Sequence, residues 1–120
     1  MKKRLLGVAI VVAAALAAVS LAFGGSTTLK LTAAKTKLAY NTKVLKAKSG
    51  KITISMTNTS PIFQHDVAIK VNGKVTKGKT VGQNGVSKLT VTLKPGTYTF
   101  YCTVPGHEAA GMKGKLIVTK

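Results

Sequence analysis

The sequence predicts an all-β fold, a β-sandwich or barrel, from two observations. Apolar and polar residues alternate along several short segments, and no segment after residue 24 has the period of an amphipathic helix. Turn-forming dipeptides separate these segments at short intervals: Ser49-Gly50, Asn72-Gly73, Asn84-Gly85 and Pro95-Gly96. The chain has 120 residues, a length that suits one domain.

The alternation is clearest in residues 51–58 and 87–94, where apolar side chains occupy every second position. Such runs are typical of half-buried strands. Residues 73–86 are rich in Gly, Lys and Thr and give no assignment. We expect five further strands, over residues 29–33, 38–47 (interrupted near Asn41), 65–71, 96–102 and 114–119.

The N-terminal segment, residues 1–24, has the pattern of an export signal. Three basic residues at positions 2–4 precede residues 5–23, which carry no charge. This run is longer than the ~7–15 residues of a usual signal core, and it approaches the ~20 residues of a membrane-spanning helix. Cleavage after Ala22 or Gly24 and retention as an N-terminal membrane anchor therefore both stay open.

Both interpretations place the rest of the chain outside the cytoplasm, because the basic end of such a segment stays inside. We expect the periplasm or the outer face of the cytoplasmic membrane. Residues 25–28 are expected to be a linker and residues 29–120 to form one monomeric domain. Cys102 is the single cysteine, so it cannot form an internal disulfide, and metal ligation would explain its presence in an exported protein.

The chain is strongly basic, with 19 Lys and Arg, 2 Asp and Glu, and a formal net charge of +17. A surface of this kind attracts acidic proteins and anionic lipid headgroups. We therefore expect an acidic protein partner, and the charge also permits contact with an anionic membrane surface. Nucleic acid is not expected, because export removes the protein from it and no aromatic residues are interleaved with the lysines.

A group of metal-ligand residue types lies at the ends of two predicted strands. Cys102, His107 and Met112 fall within one loop, and His65 begins a strand far upstream. His65 and Cys102 each share the parity of the core-facing residues in their strands, so both are expected to point inward. Met112 lies between Gly and Lys, outside any alternating run, which is unusual for a core methionine. Two His, a Cys and a weak axial Met are the ligands of a blue-copper site.

Other interpretations of these residues are weaker. Cys102 alone would be an ordinary buried apolar residue, and His107 alone would be a surface residue. Zinc binds Cys and His, but it seldom takes a thioether and its structural sites prefer four strong ligands. An enzyme is not expected, because four protein ligands leave no open position and Asp66 and Glu108 are the only acidic residues.

The C-x4-H-x4-M spacing from Cys102 to Met112, with Ser-Pro-Ile-Phe-Gln-His-Asp-Val at residues 60–67, resembles the cupredoxins, the small blue copper proteins. The resemblance covers about residues 29–120. Many members have Asn after the first ligand histidine, where it joins the two ligand loops, whereas this chain has Asp66. The resemblance implies a Greek-key β-sandwich of seven to eight strands with one type 1 copper ion at one pole, held by His65, Cys102, His107 and Met112.

The sequence therefore predicts an exported electron carrier that cycles between Cu(I) and Cu(II) and serves extracytoplasmic redox partners. Tyr101, of outward parity, would offer a second electron route beside Cys102. The alternative is a copper-binding or copper-delivery protein in extracytoplasmic copper homeostasis, although the extra Met or His clusters common in such proteins are missing from the sequence. An apolar collar around His107 would form a docking patch; it comprises Ile62, Phe63, Val104, Pro105, Ala109 and Ala110.

Overall fold

The regular structure of residues 25–120, the part of the chain that the computed structural model describes, is entirely β. Eight strands alternate with turns and loops, and no helix occurs within these residues. The strands are β1 (Ser26–Ala33), β2 (Val44–Lys48), β3 (Gly50–Asn58), β4 (Ala68–Val71), β5 (Lys74–Lys77), β6 (Val86–Leu93), β7 (Gly96–Tyr101) and β8 (Lys113–Thr119).

The strands form two sheets. One has three strands in the order β1-β3-β6, and the other has five in the order β2-β8-β7-β4-β5. The pairs β1–β3 and β2–β8 are parallel, and the remaining neighbours are antiparallel. The chain crosses between the sheets repeatedly, because β1, β3 and β6 belong to one sheet while the strands between them belong to the other. The predicted Greek-key sandwich is confirmed.

The core lies between the inner faces of the two sheets, as the alternation predicts. Ile52, Ile54 and Met56 of β3 are fully buried, while Thr53 and Thr57 on the other face of the strand are half-buried. Phe100 of β7 packs from the opposite sheet, and its ring lies 5.6 Å from that of Tyr40. Because alternate residues of a strand point to opposite faces, the apolar residues of both sheets face each other and form the interior of a sandwich.

Two strand boundaries differ from the expected ones near the start of the domain. β1 begins at Ser26, inside the segment expected to be a linker, because residues from Ser26 onward pair in parallel with β3. The expected strand over residues 38–47 is reduced to β2, which begins at Val44. Its first part is irregular instead, and there the Asn41 side-chain oxygen accepts the main-chain N–H of Thr32 at 2.9 Å.

The middle of the chain contains a hairpin that the alternation did not reveal. β4 begins at Ala68 rather than at residue 65, and β5 occupies part of residues 73–86, which had no assignment. Asn72 and Gly73 join the two strands with φ of 50° and 80°. Positive φ at both central residues is the geometry of a two-residue type I′ turn, for which Asn-Gly is the preferred pair.

The expected signal peptide or anchor, residues 1–24, lies outside the described residues and stays a prediction. Among residues 25–120, no helix has the length and apolarity needed to cross a membrane.

Candidate metal centre

The antiparallel pairing of β4 and β7 brings the predicted ligand residues to one pole of the sandwich. Ala68 pairs with Tyr101, so the residues before β4 and those after β7 lie at the same end of the sheet. Cys102 directly follows β7. His65 precedes β4 and is held by a single bridge to Val81, with N–H···O distances of 3.0 and 2.9 Å.

The donor atoms of His65, Cys102 and His107 converge. Cys102 Sγ lies 3.6 Å from His107 Nδ1 and 3.9 Å from His65 Nδ1. One donor atom from each of the three residues falls within 4.8 Å of the others, and the two imidazole centroids are 5.0 Å apart. His65 and Cys102 are buried, and His107 is 8% exposed, so the group lies just beneath the surface.

Met112 closes the loop that carries Cys102 and His107. The Cys102 N–H donates to the Met112 carbonyl at 3.2 Å, and the Met112 N–H donates to the His107 carbonyl at 3.0 Å. Gly106 and Gly111 adopt φ of 85° and 106°, values that favour glycine, which lets the loop turn back on itself. The Met112 side chain is fully buried in the same apolar cluster as Cys102.

Burial shapes the protonation of the metal-free site. Burial raises the pKa of the Cys102 thiol, although main-chain N–H donors from Asp66 and Val104 favour the thiolate and oppose this rise. Burial, together with the neighbouring His107, lowers the pKa of His65 and keeps its imidazole neutral. A neutral imidazole is ready to bind a metal, whereas the thiol must first lose its proton, so metal binding is coupled to proton release.

Asp66 joins the two ligand-bearing loops. Its main-chain N–H points at Cys102 Sγ at 3.5 Å, and its carboxylate accepts the Thr103 N–H at 2.7 Å. The Thr80 hydroxyl donates to the same carboxylate at 2.8 Å, and Lys77 Nζ lies 3.5 Å away. Burial opposes ionisation of Asp66, but the Thr103, Thr80 and Lys77 contacts prevail and hold its pKa below the usual value.

Asn58 supports the His65 loop and was missed by the sequence analysis. Its side-chain NH₂ donates to the carbonyls of Phe63 and Val81, at 2.9 and 2.8 Å, and its side-chain oxygen accepts the Ser60 N–H at 2.8 Å. Asn58 is fully buried. A usable signal existed, because Asn58 has the parity of Met56 and is therefore a polar residue at a core position of β3.

Tyr40 is a second supporting residue that the sequence did not indicate. Its hydroxyl donates to the Asp66 carbonyl at 2.6 Å, and its ring is buried. Burial, followed by the nearby Cys102 and Asp66, raises the pKa of Tyr40 and keeps the hydroxyl protonated. No sequence signal could have found this contact, because Tyr40 lies in an irregular segment 26 residues from Asp66.

Apolar side chains surround the point at which the site approaches the surface. Ile62 is 67% exposed, Phe63 is half-buried, and the Phe63 ring meets the His107 ring edge-on at 6.0 Å between centroids. Tyr101, which strand parity predicts to point outward, is covered by a neighbouring side chain. It is 7% exposed, and Lys70 Nζ lies 5.6 Å from its ring centroid.

The donor set fits copper. Two imidazole nitrogens face one sulfur inside a buried, apolar pocket, and a thioether side chain lies at the end of the same loop. Copper accepts this mixture of soft and borderline donors, whereas zinc sites rarely include a thioether. The sequence pattern of the copper binding proteins, plastocyanin/azurin family, matches residues 27–119. The chain is a cupredoxin.

Copper is therefore the cofactor of this cupredoxin, and His65, Cys102, His107 and Met112 are positioned as a type 1 copper site. A crystal structure of dithionite-reduced auracyanin from the photosynthetic bacterium Roseiflexus castenholzii has the same fold, with a TM-score of 0.72 and 30% identity. That match covers 81% of this chain and 100% of the auracyanin chain.

Two further relatives are more partial matches. A 28-residue stretch is 64% identical to auracyanin-B from Chloroflexus aurantiacus, and it spans 23% of this chain but only 12% of that protein. Rusticyanin from Thiobacillus ferrooxidans shares the fold, with a TM-score of 0.65 at 21% identity over 80% of this chain and 79% of the rusticyanin chain.

Proposed function

We propose that this cupredoxin is an exported one-electron carrier whose copper ion is held by His65, Cys102 and His107, with Met112 as a weak axial ligand. The observation that carries the proposal is the convergence of two Nδ1 atoms on one buried Sγ, at 3.6 and 3.9 Å. Copper, when bound, supplies the Cu(I)/Cu(II) couple. The four donors occupy all positions of such a site, which favours electron transfer over catalysis on a bound substrate.

The protein's contribution is a frame that holds the donors in place. Main-chain hydrogen bonds tie Cys102 to Met112 and Met112 to His107, and Asp66 ties the His65 loop to Thr103. A donor set held in this way changes little between the two oxidation states. Small rearrangement keeps the barrier to electron transfer low.

His107 is the proposed exit for the electron. It is the most exposed of the three clustered donors, and Pro105 lies exposed two residues before it. The exposed Ile62 adjoins Phe63, whose ring meets the His107 ring. An apolar rim of this kind allows close approach of a redox partner that excludes water. Residues 102 and 107 belong to the same short loop, so the path from the sulfur to the surface is brief.

The lysine-rich surface and the N-terminal segment support the proposed partner and location of the carrier. The net charge of +17 favours an acidic redox partner and permits association with an anionic membrane surface. The basic and apolar residues at positions 2–23 favour an extracytoplasmic location, by cleavage or by anchoring. We propose that the carrier acts there as a monomer.

Redox cycling with measurement of bound copper tests the proposal against copper delivery. The copper-loaded protein is reduced and reoxidised repeatedly while an external Cu(I) chelator is present. A carrier is expected to return to its starting spectrum with its copper retained. Loss of copper to the chelator during the first cycles would instead favour the delivery function.

A further inference from the structure

Asp66 places a fully buried carboxylate one residue from His65 and in contact with the Cys102 loop. Every polar contact of this carboxylate is with a donor: the Thr103 N–H and hydroxyl, the Thr80 hydroxyl and the Lys77 ammonium. Such surroundings suit an ionised carboxylate, which only accepts hydrogen bonds. The site therefore carries a fixed negative charge close to its ligands.

Lys77 is the single cation paired with this charge among the described residues. It lies at the end of β5, its side chain is 42% exposed, and its Nζ also approaches the Thr80 hydroxyl at 3.4 Å. Among the hydrogen bonds of residues 25–120, none joins Lys77 to His65, Cys102 or His107. Lys77 can therefore act on the metal centre through charge without positioning a ligand.

We propose that the ion pair between Lys77 and Asp66 sets the reduction potential of the copper site. This inference rests on the proposed function. A negative charge beside the site stabilises Cu(II) and lowers the potential, and a paired positive charge opposes that effect. The effect is substantial because Asp66 is buried, where charges are weakly screened. Because Lys77 is partly exposed, solvent screens its charge and reduces its effect on the reduction potential.

The test compares Lys77→Met with Lys79→Met in copper-loaded protein, by spectroelectrochemical titration. Lys79 is a matched control, since it is an exposed lysine two residues away that forms no ion pair within the described part of the chain. We expect Lys77→Met to lower the Cu(I):Cu(II) ratio at a fixed ambient potential by roughly three- to tenfold, a shift of up to ~59 mV. Lys79→Met should change the ratio by less than about twofold.

The Asp66→Asn substitution should shift the reduction potential in the opposite direction. The amide oxygen can still accept the Thr103 N–H, but the negative charge is gone, so the Cu(I):Cu(II) ratio should rise. Lys77→Met should then have less effect in the Asp66→Asn background than in the original chain, because the lysine no longer has a buried partner that holds it near the site.

A measurement on the copper-free protein distinguishes an electrostatic effect of Lys77→Met from a structural one. Hydrogen exchange at the Thr103 amide should be the same, within about twofold, in the apo form of the original chain and of Lys77→Met. Loss of Thr103 protection in Lys77→Met, equal potentials for both chains, or equal shifts in Lys77→Met and Lys79→Met would each overturn the inference. Failure of the original chain to form a reversible copper couple would instead overturn the proposed function on which it rests.

Discussion

Asp66 shows how a single residue beside a metal ligand can join two loops and carry a charge. The contact with Cys102 Sγ comes from the main-chain N–H, which does not depend on the side chain. The contact with the Thr103 N–H needs only an acceptor oxygen, which a carboxylate and an amide both provide. Either an Asp or an Asn at this position would therefore preserve the link between the ligand loops, and Asp66 adds a charge.

Asn58→Ala tests how the His65 loop is held. The substitution removes three hydrogen bonds made by a fully buried side chain, from the Ser60 N–H and to the Phe63 and Val81 carbonyls. We expect the free energy of unfolding of the apo-protein to fall by about 2–3 kcal/mol in urea denaturation. Asn41→Ala is the control: its exposed side chain accepts one main-chain hydrogen bond, and a loss below about 1 kcal/mol is expected. Equal losses would contradict the role given to Asn58.

Met112→Gln tests the axial position. A Gln oxygen is a harder donor than a thioether sulfur, and it favours Cu(II), so the reduction potential should fall. We expect a decrease of at least ~59 mV, a tenfold change in the ratio of oxidation states, in a spectroelectrochemical titration. Met56→Gln is unsuitable as a control, since Met56 is a core residue of β3. An unchanged potential in Met112→Gln would place Met112 outside the ligand set.

At the scale of the elements, strands with strict alternation could be predicted and the irregular connections could not. β3 and β6 follow the period-2 pattern closely, because each has one face in the core and one in solvent. β5 has no such pattern, since none of its four residues is buried. Residues 38–43 are irregular despite their β-like composition, because local side-chain contacts such as that of Asn41 compete with strand pairing.

The pairing of β7 with β8 gives a prediction of its own. Gly114 lies opposite Phe100, and a Cβ at position 114 would collide with the Phe100 ring and with the Lys43 carbonyl oxygen. Gly114→Ala should therefore lower the free energy of unfolding by about 2–3 kcal/mol, as measured by urea denaturation. Gly82→Ala is the control, because a Cβ there meets nothing within 4 Å, and a change below about 1 kcal/mol is expected. Wild-type stability of Gly114→Ala would refute this packing.

At the scale of the whole molecule, the net charge of +17 predicts electrostatic steering. The rate of electron exchange with anionic hexacyanoferrate should fall as ionic strength rises from about 10 to 200 mM, because salt screens the attraction. A cationic ruthenium ammine should show the opposite trend. Stopped-flow measurements with both reagents check the sign, and a flat profile for both would remove the steering role of the lysines.

The metal centre was largely predictable from the sequence because its ligands are chemically distinctive. Cys102, His107 and Met112 lie in one loop, and strand parity directed His65 towards the same interior. The supporting contacts were not predictable, since they join residues distant in the chain, such as Tyr40 and Asp66, through irregular segments. Periodicity reports which way a strand residue points, but it carries no information about which loops meet.

The visible absorption spectrum after Cu(II) loading, recorded beside a Cys102→Ala control, tests the proposed copper site most directly. A thiolate bonded to Cu(II) gives intense charge-transfer absorption, so we expect such a band, bleached reversibly by reductant and missing from the control. Bound copper with weak or no colour, or the same band in Cys102→Ala, would contradict the claim that Cys102 and the two histidines form a blue-copper electron-transfer site.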